Sequence, residues 1–186
     1  VHVPDMETLP IRRVVNFPAD APVALSFAAD FAWTASESEF IIRRMKDASL
    51  TVTQKYKDAA PRTVGLVFDG LYLWTCDSRK KQIHKRLLDD QLTVLASFRY
   101  PGAAPAALVF DGKALWSLDA VRHELLRHNL ERPDEATERV ALPEYQDGRY
   151  KPVGLAWDGK RFWTVGEPFP GGAGTARLFA HKVLEP

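Results

Sequence analysis

The residues able to do chemistry in this 186-residue chain are five histidines, one cysteine and 24 acidic side chains. A catalytic or metal centre needs several of them to converge. His84, His128 and His181 fall in strand-like segments, and His128 and His181 hold equivalent positions in a repeat described below. Imidazoles on outlying strands point between layers or to solvent, which argues against a shared metal. His123 belongs to a loop and His2 to the N-terminal end. Cys76 has no second cysteine to pair with, so an internal disulfide and a cysteine-based zinc pattern are both ruled out. At the end of an apolar strand it reads as an inert thiol. Asp69, Asp111 and Asp158 recur regularly, but each precedes a glycine, and a hairpin turn accounts for such a pair without catalysis. No serine sits in a nucleophile elbow. The glycine run from Gly171 to Gly174 lacks the lysine and helix of a phosphate-binding loop.

Two segments carry a different kind of chemistry, that of recognition. "PEYQDGRYKP" from Pro143 to Pro152 brings Tyr145, Asp147, Arg149 and Tyr150, and "GEPFPGGAGT" from Gly166 to Thr175 brings Glu167 and Phe169. Aromatic rings mixed with an arginine and two acids on loops suit capture of a protein surface or a small polar ligand.

The wider composition limits the partners. Twenty-five basic against 24 acidic side chains leave a net charge of +1, so no global field draws in nucleic acid or an anionic membrane. The densest basic run, "RKKQIHKR" from Arg79 to Arg86, projects to alternate faces if it is a strand, and Asp89 and Asp90 follow it. A solvated edge is expected there, and nucleic acid is not an expected partner. The longest nearly apolar run, Ala103 to Phe110, is far short of the roughly 20 residues of a membrane-spanning helix. The chain starts at Val1 rather than Met, so either processing or trimming removed an upstream segment; a lost signal peptide or anchor would fit a periplasmic or secreted location, but the sequence leaves the location open.

What must position the two loops is a repeat. "TVGLVFDGLYLWTCD" from Thr63, "PAALVFDGKALWSLD" from Pro105 and "PVGLAWDGKRFWTVG" from Pro152 share one template: Leu, any residue, an aromatic, Asp-Gly, then Trp six positions after the aromatic. "PVALSFAADFAWTAS" from Pro22 is a fourth copy that has lost the Asp-Gly. Trp33, Trp74, Trp116 and Trp163 hold one repeat position, each followed by a hydroxyl residue: Thr34, Thr75, Ser117 and Thr164.

The tryptophans are 41, 42 and 47 residues apart. A period of about 40 to 45 with several short strands per unit is that of β-propeller blades. The second copy divides into Val64–Phe68, an Asp-Gly turn expected to be type I′, Leu71–Cys76, Gln82–Leu88 and Leu92–Phe98. The predicted fold is all-β: one four-bladed propeller domain over 1–186, with four antiparallel strands per blade. The blades fall at about 22–58, 62–101, 105–148 and 152–183. The segment from Leu9 to Pro22 matches the one from Leu92 to Pro105, the fourth strand of blade two and the loop after it. A strand over about 9–17 is therefore expected to pair beside the last strand of blade four and close the ring, hiding both sheet edges.

The copy "VGLVFDGLYLWTCDSRKKQIHKRL" from Val64 to Leu87 resembles the blade repeat of NHL-like and YncE-like propeller families. That resemblance implies a fold and carries no catalytic residues across. Blade four, with its long loop after the second strand, resembles glutamine cyclotransferase propellers over this stretch alone, which would make Glu167 the acid/base candidate.

The function expected from these readings is a non-catalytic interaction or scaffold module, such as a subunit of a larger extracytoplasmic assembly. Tyr145, Asp147, Arg149, Tyr150, Glu167 and Phe169 are its binding set, and another protein is its first expected partner, with a small polar ligand second. An alternative is a small-molecule propeller enzyme, glutamine-cyclotransferase-like or lyase-like. A third is a structural ring in which backbone carbonyls around the central channel hold a cation. No catalytic residue, side-chain metal site or organic cofactor is expected.

Overall fold

A computed structural model describes residues 22–28, 30–36, 40–46, 50–57, 62–169 and 174–181. β1 (Pro22–Ala28), β2 (Phe31–Ser36), β3 (Phe40–Met45) and β4 (Val52–Lys57) form the first antiparallel sheet. β5 (Thr63–Phe68), β6 (Leu73–Asp77), β7 (Gln82–Arg86) and β8 (Val94–Arg99) form the second. β9 (Pro105–Phe110), β10 (Leu115–Asp119), β11 (Glu124–His128) and β12 (Ala136–Ala141) form the third. The fourth contains β13 (Tyr150–Trp157), β14 (Phe162–Pro168) and β15 (Arg177–Ala180). The chain is a four-bladed β-propeller. The strand expected over 9–17 lies outside the described residues.

The first strands of the blades, β1, β5, β9 and β13, surround a common channel, where Val23–Leu25, Val64–Leu66, Ala106–Leu108 and Val153–Leu155 line a cavity of about 170 Å³. Their approach is close. A side chain at Gly65 would put its Cβ 2.6 Å from the Leu108 backbone nitrogen, so β5 can sit against β9 only with glycine there. Each first strand also slips register at its start, between Pro22 and Ala24, Thr63 and Gly65, and Pro152 and Gly154, and opposite Leu118 and Asp119 in blade three. Such bulges bend a strand where it enters the channel mouth.

The tryptophans of blades one, two and three pack toward the following blade. Trp33, Ala35 and Ile41 meet Leu66 and Leu73 of blade two. Trp74, Cys76 and Ile83 meet Leu108 and Leu115 of blade three, and Trp116, Leu118 and Leu125 meet Tyr150 and Phe162 of blade four. Burial pushes the Cys76 thiol well above its ordinary pKa, with Asp77 adding to the effect, so this cysteine stays protonated inside the second interface.

The Asp-Gly turns differ from the expected two-residue hairpin. Phe68 pairs with Leu73, so four residues intervene. Gly70, Gly112 and Gly159 take positive φ, whereas the aspartates before them do not. Each aspartate closes the turn with its side chain: Oδ1 of Asp69 accepts the amides of Leu71 and Tyr72, and Oδ2 accepts the Trp74 indole N–H at 2.7 Å. Asp111 does the same for Lys113, Ala114 and Trp116, and Asp158 for Lys160, Arg161 and Trp163.

The hydroxyl after each tryptophan has a recurrent partner on the third strand. Arg44 Nε donates to Thr34 Oγ1 and Arg86 Nε to Thr75 Oγ1, while His128 Nε2 meets Ser117 Oγ and His181 Nε2 meets Thr164 Oγ1. Four copies of one contact therefore account for the equivalence of His128 and His181.

Candidate functional site

The candidate site lies on the face where blade-to-blade loops meet the loops between second and third strands. In blades two and three that face is stapled by a buried carboxylate three residues after the tryptophan. Asp77 accepts the Arg62 amide on Oδ2 and the Lys80 amide on Oδ1. Asp119 accepts the Ala103 and Ala104 amides on Oδ2 and those of Val121 and Arg122 on Oδ1. One buried acid thus ties the incoming loop to the outgoing one, satisfying backbone donors that would otherwise be stranded.

Blade four lacks this staple. Its equivalent residue is Gly166, and a Cβ there would lie 2.9 Å from Tyr145 Cε1 and 3.1 Å from Phe179 Cε2. The Tyr145 ring packs directly over Gly166. It is fully buried, packs edge-on against Phe179 at 5.3 Å between centroids, and donates its hydroxyl to Thr164 Oγ1 at 2.8 Å. Burial raises the phenol's pKa, and the Thr164 hydrogen bond opposes the rise. Tyr100 makes the corresponding contact one junction earlier, within 3.2 Å of Ser117 Oγ.

The blade three to blade four junction holds a groove. A cavity of about 650 Å³ is lined by Val121 and His123 from the blade-three loop and by Lys151, Glu167, Pro168 and Phe169 from blade four. It adjoins a second cavity of about 600 Å³ over the channel mouth, which shares Val121, Lys151 and Glu167 and adds Arg62 and Ser78. Lys151 and Glu167 stand opposite each other in the β13–β14 ladder, placing one cation and one carboxylate side by side. Val121 and Phe169 are exposed apolar walls above them.

The six residues singled out in the sequence divide into three groups. Glu167 and Phe169 line the groove. Asp147 and Arg149 form an exposed pair on its rim, with Arg149 Nε donating to Asp147 Oδ2 at 2.6 Å and the Phe169 amide donating to the Arg149 carbonyl. The Arg149 amide, then its guanidinium, hold the Asp147 carboxyl below its usual pKa. Tyr145 and Tyr150 are buried beneath the groove. Tyr150 lies edge-on to Phe179, with the Arg177 guanidinium 4.9 Å over its ring. These two rings shape the junction from within and present no exposed face. Val121, His123 and Lys151 were not singled out. The available signals were an apolar Val121 in an otherwise polar loop and the register that sets Lys151 beside Glu167.

Elsewhere the reactive side chains have structural partners. His128 is buried, with Nδ1 on the Pro133 carbonyl at 2.8 Å, and His84 Nδ1 meets Ser97 Oγ at 2.8 Å. His181 lies 3.5 Å from the Glu144 carboxylate; partial burial lowers its pKa and Glu144 opposes that. Among the described residues no group of three or more His, Cys, Asp or Glu gathers as a metal site. In the basic run Arg86 is buried and Lys85 reaches over the Tyr72 ring at 4.0 Å, so its charges do not share one face. No helix among the described residues is long and apolar enough to cross a membrane.

Fold and groove define a β-propeller with a loop-face cleft. No protein-family model matches the sequence, and no curated protein sequence matches it. Solved structures do resemble it. The computationally designed Ika4 protein matches over 90% of this chain and 95% of its own, with TM-score 0.56 and 11% identity. Myxococcus xanthus glutaminyl cyclase matches over 86% of this chain and 73% of its own, with TM-score 0.64 and 8% identity. A catalytically inactive virginiamycin B lyase from Staphylococcus aureus, solved with quinupristin, matches over 83% of this chain and 52% of its own, with TM-score 0.60 and 19% identity. At these identities the likeness is one of fold.

Proposed function

We propose that the chain is a binding module that captures a peptide segment of another protein in the groove between blades three and four. The observation that carries this reading is the groove itself, about 650 Å³ with exposed Val121 and Phe169 as walls and the Lys151–Glu167 pair beside them. Apolar walls supply the desolvation that drives binding, and paired opposite charges orient a peptide backbone or an oppositely charged side-chain pair. Tyr145 and Tyr150 serve as its internal support, and Asp147 and Arg149 as a polar rim.

The test is selection of peptides from a displayed random library on the immobilised protein, repeated with Val121→Glu and Phe169→Glu. Enrichment on the wild type that disappears with either variant supports the reading. Equal enrichment on all three proteins, or none on the wild type, overturns it.

A second reading is a small-molecule enzyme. It draws on the structural likeness to glutaminyl cyclase and on the place of Glu167 in the groove. Glu167 is exposed, which weighs against the desolvated environment a general acid/base needs at neutral pH. Loss of turnover of an N-terminal glutaminyl peptide on Glu167→Gln would favour it.

A further inference from the structure

The repeat allows each blade to be compared with the others, and the comparison singles out the seam between blades four and one. β1 packs on β5, β5 on β9 and β9 on β13, but among the described residues β13 and β14 have no comparable packing on β1 or β2. The side chains that should fill that seam are exposed on both sides. On blade one, Leu25 is 57% exposed, whereas its equivalents Leu66 and Leu108, which bury against the preceding blade, are 3% and 5% exposed. Val23 and Phe27 on the same strand are exposed with it. On blade four, Leu178 stands opposite Val165 in the ladder, as Ile41 stands opposite Ala35, Ile83 opposite Cys76 and Leu125 opposite Leu118. Leu178 is 60% exposed, and those three equivalents are at most 1% exposed. Trp163 and Val165 are also less covered than their equivalents Trp33 and Ala35, Trp74 and Cys76, or Trp116 and Leu118.

These two surfaces are the two halves of an interface the molecule already makes three times. The blade-four face of Trp163, Val165 and Leu178 is the kind that receives a following blade; the blade-one face of Leu25 is the kind that packs on a preceding one. Their shapes are complementary by repetition, and a head-to-tail contact of this sort closes when the second seam repeats the first.

We propose that two copies of this chain pair reciprocally, blade four of each against blade one of the other. Each seam then buries Leu25 and Phe27 of one protomer against Trp163, Val165 and Leu178 of its partner. Large apolar side chains exposed together on two such faces mark an association surface.

Light scattering coupled to size exclusion measures the mass directly. The expected value is twice 20.9 kDa, about 42 kDa, at micromolar concentration. Leu25→Glu and Leu178→Arg should each shift the protein to the monomer mass with an unchanged far-ultraviolet circular dichroism spectrum. Because a seam variant can fail to fold for other reasons, a Leu25→Cys/Leu178→Cys double variant is oxidised in parallel and run on a non-reducing gel. Cross-linking between chains supports the proposal. A cross-link within one chain, a monomeric wild type, or charge variants that stay dimeric would each overturn it.

Discussion

The indole N–H of Trp74 donates to the carboxylate of Asp69 at 2.7 Å, and the same bond joins Trp116 to Asp111 and Trp163 to Asp158. Blade one has Ala28 at the aspartate position, and among the described residues the buried Trp33 indole N–H finds no acceptor. An unsatisfied buried donor costs about 1–3 kcal/mol. Ala28→Asp should recover about 1 kcal/mol of this, read as a higher urea midpoint with an unchanged m-value. A lower midpoint would show that the blade-one turn cannot place the carboxylate.

Asp119 holds four backbone amides from two loops while fully buried. Removing it strands those donors, and Asp119→Ala should cost about 3 kcal/mol or more. Amide exchange at Ala103, Ala104, Val121 and Arg122 should speed up ahead of the sheet amides. Uniform acceleration across the blade would instead show that Asp119 acts on global stability and not on the loops.

Burial pushes the His128 pKa down to about 4 against the Pro133 carbonyl, which favours the charged form, and nearby Arg139 depresses it further. With Nδ1–H assigned as donor to Pro133, the neutral ring accepts from Ser117 on Nε2. The unfolded chain, with a histidine pKa near 6.5, binds the proton more readily than the fold does. Its contribution is therefore complete above about pH 6.5 and declines as pH falls toward 4, by about 3 kcal/mol across that window. Unfolding midpoints measured from pH 7 to pH 4 should fall in the wild type and fall less in His128→Gln. Parallel curves for the two proteins would remove His128 as the cause.

The Asp111 carboxyl is subject to two opposed influences: partial burial raises its pKa, but hydrogen bonds from the Ala114 and Lys113 amides and the Trp116 indole outweigh this and lower it. A lowered folded-state value means that stability is fully present above the unfolded carboxyl pKa near 4 and is lost as pH drops through the folded one. Asp111→Asn should therefore flatten the acid limb of the stability curve below pH 4 while shifting the neutral midpoint only modestly.

Gly166 marks where the third and fourth blades were allowed to differ. A Cβ 2.9 Å from the Tyr145 ring forces the ring to move, so Gly166→Ala should cost about 1–3 kcal/mol. Tyr145→Phe removes only the bond to Thr164 and should cost about 1 kcal/mol. Combining Gly166→Ala with Tyr145→Ser makes room for the methyl group. The double variant should lose less than the sum of its parts, and strict additivity would argue that the two sites are independent.

Most of the architecture was legible in the chain because a repeat converts one local pattern into four. Trp33, Trp74, Trp116 and Trp163 announced the blade count, and short apolar runs separated by turn residues announced strands. The turn type was misjudged because Asp-Gly has two uses. It can form a tight two-residue hairpin, but here Asp69 spends its carboxylate on Leu71, Tyr72 and Trp74, which favours a wider turn.

The candidate site was only partly legible. The sequence placed Phe169 and Glu167 on a long loop near the junction of blades three and four, and the groove they line there came from the structure. Tyr145 and Tyr150 belong to the same pattern of aromatic loop residues, yet they turn inward and pack around Phe179, as Tyr100 turns inward one junction earlier. Sequence by itself determined the repeat, its period and the residues that vary between copies, since those depend on spacing along the chain. Tertiary structure decided which varying residues meet, which loop lacks its carboxylate staple, and that Leu25 and Leu178 are exposed where their equivalents are buried. Those outcomes depend on contacts between blades, and no interval along the chain records a distance across an interface.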